Sequence, residues 1–217
     1  MSEEMTETER AKFEELKSKS HLLLDNLKTK GFLQKPNAET LTRFLKILEM
    51  NDEHSKIYNL LNDLYTNEQV EEFLKCSAQF GLNEKNLPEL HVFILIANFN
   101  RQTEAFKLAF LIMLKKDKSL KDKITLGPLS DRLREKSPDY AAAIVDELEV
   151  ELRNAFAHQT YWFDNGKVVY CEDSSLSNPQ EIELGHLMMK AKAQNILFQS
   201  FLHAIAEKAR AGFFANL

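Results

Sequence analysis

Residues 152–170, LRNAFAHQTYWFDNGKVVY, change their period in mid-stretch, and that change decides the fold. Up to His158 the spacing is helical: Val145, Leu148, Leu152 and Phe156 fall on one stripe of a helix expected from Asp139 to about His158. Beyond it, aromatic and β-branched residues flank Asn165-Gly166. Asn and Gly tolerate the positive φ that a type I′ turn needs at both central positions, so TYWFDNGKVVYC predicts a two-stranded hairpin.

Arg153, Asn154 and His158 stand where the two periods meet. On a helix of about 100° per residue, Asn154 and His158 lie about 40° apart and opposite the apolar stripe. Arg153 sits on the flank of that stripe, with a side chain long enough to reach around. Polar helix faces usually carry Lys, Glu or Gln, whereas His and Asn are weak helix formers. Two readings follow. In the structural one Arg153 is a solvated charge, Asn154 a near-terminal residue, and His158 a partner of the helix dipole. In the chemical one the three converge on a substrate.

Working outward, the rest of the chain reads as helix. Residues 3–30 keep Phe13, Leu16, Leu23, Leu24 and Leu27 in a charged background, and Gly31 stands where such a helix stops. Asn37 is a plausible N-cap for NAETLTRFLKILEM, and two similar segments follow, ending at Gly81. From Pro88 to about Leu114 the sequence is apolar on most sides, with a polar cluster from Asn98 to Glu104, as suits a central buried helix. Gly127-Pro128 and Ser137-Pro138 mark turns, SSLSNPQE a loop, and a last helix is expected from about Ile182 to Phe213. The expected architecture is all-α: an antiparallel helical bundle with a small β-hairpin insertion after the motif helix. Residues 1–85 form an N-terminal helical region and 86–217 the motif-bearing domain.

Composition bounds the function. The chain has 217 residues, 44% of them hydrophobic and 28% charged, the balance of a globular protein with its own core. Only 6 Gly and 5 Pro disfavour a sandwich or barrel. Cys76 and Cys171 show neither paired spacing nor a secretory leader, which leads us to expect a reducing, cytoplasmic setting and no disulfide or zinc framework. Runs such as VFILIA are too short to span a bilayer, so no membrane role is expected. A net charge of −5 argues against coating nucleic acid through bulk electrostatics. One local exception exists: residues 115–136 carry eight Lys or Arg against four Asp or Glu, ordinarily a solvated face, here also a candidate backbone cradle.

RNAFAH matches the R-x4-H motif of the HEPN superfamily, whose first variable position is usually Asn, Asp or His. LGPLSDRL upstream, the hairpin YWFDNGKVVY downstream and GHLMMKAKAQNILFQSFLHAI at the end are similar to HEPN-like nuclease domains over residues 86–217. The resemblance implies a metal-independent endoribonuclease of toxin–antitoxin, antiviral-defence or stress-response type. It also implies a homodimer through the motif helix that joins two motifs, and an antitoxin or regulatory partner. Some toxin members carry a tyrosine two residues after the histidine, modified by a nucleotidyltransferase antitoxin. Here that position is Thr160 and the tyrosine is Tyr161, so control of that kind is not carried over.

The residue types suit such chemistry. RNA supplies its own nucleophile, the 2′-OH. The protein then needs a proton shuttle for reaction near neutral pH, a role expected of His158, and a cation against the charge building on phosphorus, expected at Arg153. Asn154 is expected to orient His158 or the phosphate. Tyr161 and Trp162 are candidates for stacking on a base, although aromatics flanking a hairpin more often join a core. Lys115, Lys116, Lys118, Lys121 and Lys123 are the candidate RNA-backbone contacts. No metal or cofactor is expected, because the six histidines are scattered and no carboxylate cluster accompanies His158. His21, His54, His91, His186 and His203 carry no constellation. Two other readings compete: a catalytically silent module of the same fold, used for dimerisation or nucleotide binding, and a small-molecule-binding bundle using the apolar surface of Pro88 to Leu114.

Overall fold

The computed structural model describes residues 6–46, 78, 87–115, 125–172, 175–215 and 217. It is mostly helical with one small antiparallel sheet. The elements are α1 (Glu7–Thr29), α2 (Leu87–Met113), α3 (Leu126–Lys136), α4 (Pro138–Val145) and α5 (Val150–His158), then β1 (Tyr161–Asp164), β2 (Lys167–Tyr170), β3 (Gln180–Glu183) and α6 (Leu184–Arg210). Residues 38–46 are also helical, and the Asn37 Oδ1 accepts from the Glu39 and Thr40 amides as the expected N-cap.

The described residues fall into two compact units, each assembled from separated stretches of chain. One takes residues 6–45, 102–115, 125–150, 192–215 and 217, the other 46, 78, 87–101, 151–172 and 175–191. In the first, α1 opens with a capping box in which Thr6 Oγ1 accepts from the Glu9 amide and Glu9 accepts from the Thr6 amide. Its stripe of Phe13, Leu16, Leu23, Leu24 and Leu27 is buried as the spacing predicts. Ser20, also inside the stripe, donates to the Leu16 carbonyl at 2.8 Å and so leaves no hydroxyl stranded. Helix α4 packs on α1 and α3. Phe106, Phe110 and Phe201 cluster with centroids 4.6–5.0 Å apart, Phe110 stacked on Phe201 and Phe106 tilted against both.

The second unit is built on the stretch from which the reading began. Leu152 and Phe156 of α5 meet Val92, Leu95, Ile96 and Phe99 of α2, Val168 and Ile182 of the sheet, and Leu187 and Ala191 of α6. Phe156 lies edge-on to Phe99 at 5.8 Å and to Tyr161 at 5.4 Å, so it is the hub of this core. The Asn165-Gly166 turn forms as expected, with φ of 47° and 80° and Asp164 paired to Lys167.

Two expectations need correction. The helix expected over 139–158 is interrupted at residues 146–149, giving α4 and α5. The sequence there, DELEVE, places carboxylates at a helix C-terminus, where the dipole disfavours them, and at a new N-terminus, where it favours them. Arg134 binds Asp146 at 2.6 Å and Lys12 binds Glu147 at 2.7 Å, which draws both carboxylates toward other elements. The expected hairpin forms and is extended by a third strand that the sequence did not announce, giving the order β1-β2-β3. Residues 180–183, expected as loop and helix start, pair with β2 and bury Ile182 opposite Val168; α6 begins only at Leu184.

Candidate functional site

Helix α5 has one face committed to the core by Leu152, Ala155 and Phe156. Arg153 and Asn154 are half-buried beside it, while Ala157 and His158 are exposed. Arg153 Nη1 donates to Asn154 Oδ1 at 3.1 Å, so the structure brings these two together. The contact of Asn154 that the structure describes is with the guanidinium. His158 is one helical turn further on, the last residue of α5, with its ring presented to solvent.

The backbone at this end is unusual. Gln159 adopts φ +58°, the left-handed region that L side chains rarely enter. It closes a Schellman-type turn in which the Thr160 amide donates to the Ala155 carbonyl at 2.9 Å. Thr160 is buried; its hydroxyl donates to the Cys171 carbonyl at 2.5 Å, and the Cys171 amide donates back to the Thr160 carbonyl at 2.8 Å. This pair continues the β1–β2 register one step past Tyr161 and Tyr170. On the far side of the sheet, Tyr170 donates to Gln180 Oε1 at 2.9 Å.

The remaining candidates separate. Tyr161 is half-buried against Phe156, whereas Trp162, on the other face of β1, remains 44% exposed. Of the two aromatics, only Trp162 offers an open ring face. Lys115 is exposed after its amide bonds the Phe32 carbonyl; Lys116, Lys118, Lys121 and Lys123 lie outside the described residues. The rest of the basic stretch is neutralised locally, Arg132 by Glu135, Arg134 by Asp131 and Asp146, and Lys136 by Glu135. These three cations are ion-paired, Arg134 on the surface and Arg132 and Lys136 half-buried.

Sequence reasoning passed over a second arginine–asparagine pair in the same unit. Arg101 Nη2 donates to Asn98 Oδ1 at 2.5 Å, and burial pushes the Arg101 guanidinium below its ordinary pKa, though an arginine so placed stays charged. The signal was the polar interruption of an otherwise apolar helix. No group of three His, Cys, Asp or Glu among the described residues is arranged to hold a metal ion, and no described helix is long and apolar enough to cross a membrane. No protein-family profile, curated protein or solved structure matches this chain.

Proposed function

We propose that the chain is a metal-independent endoribonuclease of the HEPN type, acting in toxin–antitoxin, antiviral-defence or stress-response systems. The observation that carries this reading is the outward side of α5. An arginine already oriented by Asn154 and a solvent-presented histidine occupy one short helix whose other face is fixed in a core. A general base for the 2′-OH must be reachable by substrate, and His158 is. The charge developing on the phosphoryl oxygens needs a planar, permanently charged donor, and Arg153 supplies one. Protonated His158 then returns its proton to the departing 5′-oxygen or hands that task to a second histidine. Trp162 is the aromatic placed to stack on a flanking base, in preference to Tyr161.

A homodimer through α5 would bring two motifs together about a two-fold axis. The residues of α5 on the side away from Phe156, Val150, Asn154 and His158, would form that contact. Sedimentation as a monomer at a concentration of full activity would remove the composite site. The deciding experiment for the activity is incubation of purified protein with labelled single-stranded RNA in EDTA. Cleavage to 2′,3′-cyclic phosphate ends, with all-2′-deoxy substrate intact, is the expected result. Equal cleavage of the deoxy substrate would rule out attack by the 2′-OH.

A further inference from the structure

We infer that Thr160 is the positioning residue of this site, and that its hydroxyl acts on cleavage through His158; the inference rests on the ribonuclease reading above. His158 is the last residue of its helix, where backbones fray, yet a proton shuttle must be held to within a fraction of an ångström of its working geometry. Its own ring has no role in the core. What fixes it is the next two residues. Gln159 reverses the chain in the left-handed region, and Thr160 then locks the reversal on two sides. Its amide holds the Ala155 carbonyl at 2.9 Å, one turn before His158, and its hydroxyl holds the Cys171 carbonyl at 2.5 Å, at the far end of the hairpin. The Ala155 carbonyl, 3.4 Å from the same hydroxyl, is the weaker alternative acceptor. The backbone of His158 is thereby enclosed between a helix turn and a strand pair.

Threonine suits this position on two counts, of which the hydroxyl is the one the positioning role needs. The methyl fills a buried place, 9% exposed, and the hydroxyl reaches a main-chain carbonyl that the ladder alone leaves with a free lone pair. Valine keeps the shape and removes the donor; serine keeps the donor and removes the methyl.

The test compares wild type with Thr160→Val, Thr160→Ser and, as a control, Ser20→Ala, which removes a buried hydroxyl–carbonyl bond of similar kind in the other unit. We expect Thr160→Val to keep a cooperative thermal transition and to lose about tenfold in kcat with KM unchanged, the scale of a small misplacement of a catalytic group. Thr160→Ser should recover kcat to within about twofold, and Ser20→Ala should leave it unchanged. In parallel, NMR relaxation of the His158 ring Cε1–H should show greater mobility in Thr160→Val and recovery in Thr160→Ser. If wild type does not cleave RNA, the ribonuclease reading falls and the ring measurement alone judges the positioning. An unaltered ring in Thr160→Val, or a kcat loss shared equally by Ser20→Ala, would overturn the inference.

Discussion

Two helices of this protein end in the same hydrogen-bonded turn and use different residues to make it. At the end of α1 the Phe32 amide donates to the Leu27 carbonyl at 2.9 Å and the Gly31 amide to the Lys28 carbonyl at 2.8 Å, with Gly31 at φ +72°. At the end of α5 the Thr160 amide donates to Ala155 at 2.9 Å, but the second bond, from the Gln159 amide to Phe156, stretches to 3.4 Å, and the left-handed residue is a glutamine. Glycine enters that region freely, whereas an L side chain costs roughly 1–2 kcal/mol there. The end of α6 repeats the first pattern with Gly212. Glycine thus takes the left-handed position after α1 and α6, and a glutamine takes it after α5, beside His158. Strain of this kind persists where neighbouring structure holds it, and the Thr160–Cys171 pair directly adjoins Gln159.

The contrast is broken most forcefully at the residues preceding the two turns. His158→Ala and Arg153→Ala should each lower RNA cleavage by roughly 10²-fold or more, the scale of losing a proton shuttle or a charge-stabilising donor. Lys30→Ala, at the equivalent cap of α1, should leave cleavage untouched. Initial rates on a labelled oligonucleotide decide this, and full activity in either site variant removes the roles assigned here.

At the turns themselves the effects are smaller and opposite in sign. A methyl group at Gly31 would meet only Lys115 Nζ, at 4.0 Å, so Gly31→Ala isolates the backbone term and should destabilise by about 1 kcal/mol. Gln159→Gly relieves the same strain at α5 and should stabilise by about 0.5 kcal/mol, less than the full relief because glycine also loosens the unfolded chain. Urea midpoints at constant slope measure both. Loss of stability in Gln159→Gly would show that the glutamine side chain itself contributes to the turn.

The smallest effect lies at the other end of α1. Glu9 hydrogen-bonds and pairs with Lys192 and accepts from the Thr6 amide, and these partners hold its carboxyl below the usual carboxylate range. A depressed carboxyl contributes stability that is complete above its ordinary pKa and is lost as pH falls through the folded value. Glu9→Gln, which keeps the capping geometry but not the charge, should therefore be less stable than wild type by about 0.3 kcal/mol at pH 7. The two melting curves should converge as the solution is taken below the carboxylate range. A gap that persists in acid would mean that packing, not charge, makes the difference.

What the sequence determined alone is whatever depends on neighbours a few positions apart. The apolar spacing of α1 and α2, the Asn37 cap, the Gly31 stop and the Asn165-Gly166 turn are all local, because helix faces repeat within a turn and tight turns depend on the φ that particular residues allow. The placement of Arg153, Asn154 and His158 off the core stripe was legible for the same reason. The tertiary structure decided everything settled by partners far along the chain. QEIE has little strand character of its own and is a strand because Ile182 finds Val168. The motif helix breaks at 146–149 with Lys12, 135 residues from Glu147, holding one of its carboxylates. Tyr161 turns inward and Trp162 outward because the sheet has a single face on the core. And no property of a glutamine announces a left-handed backbone: Gln159 takes it where the end of α5 meets the Thr160–Cys171 pair, a contact between strands rather than between near neighbours.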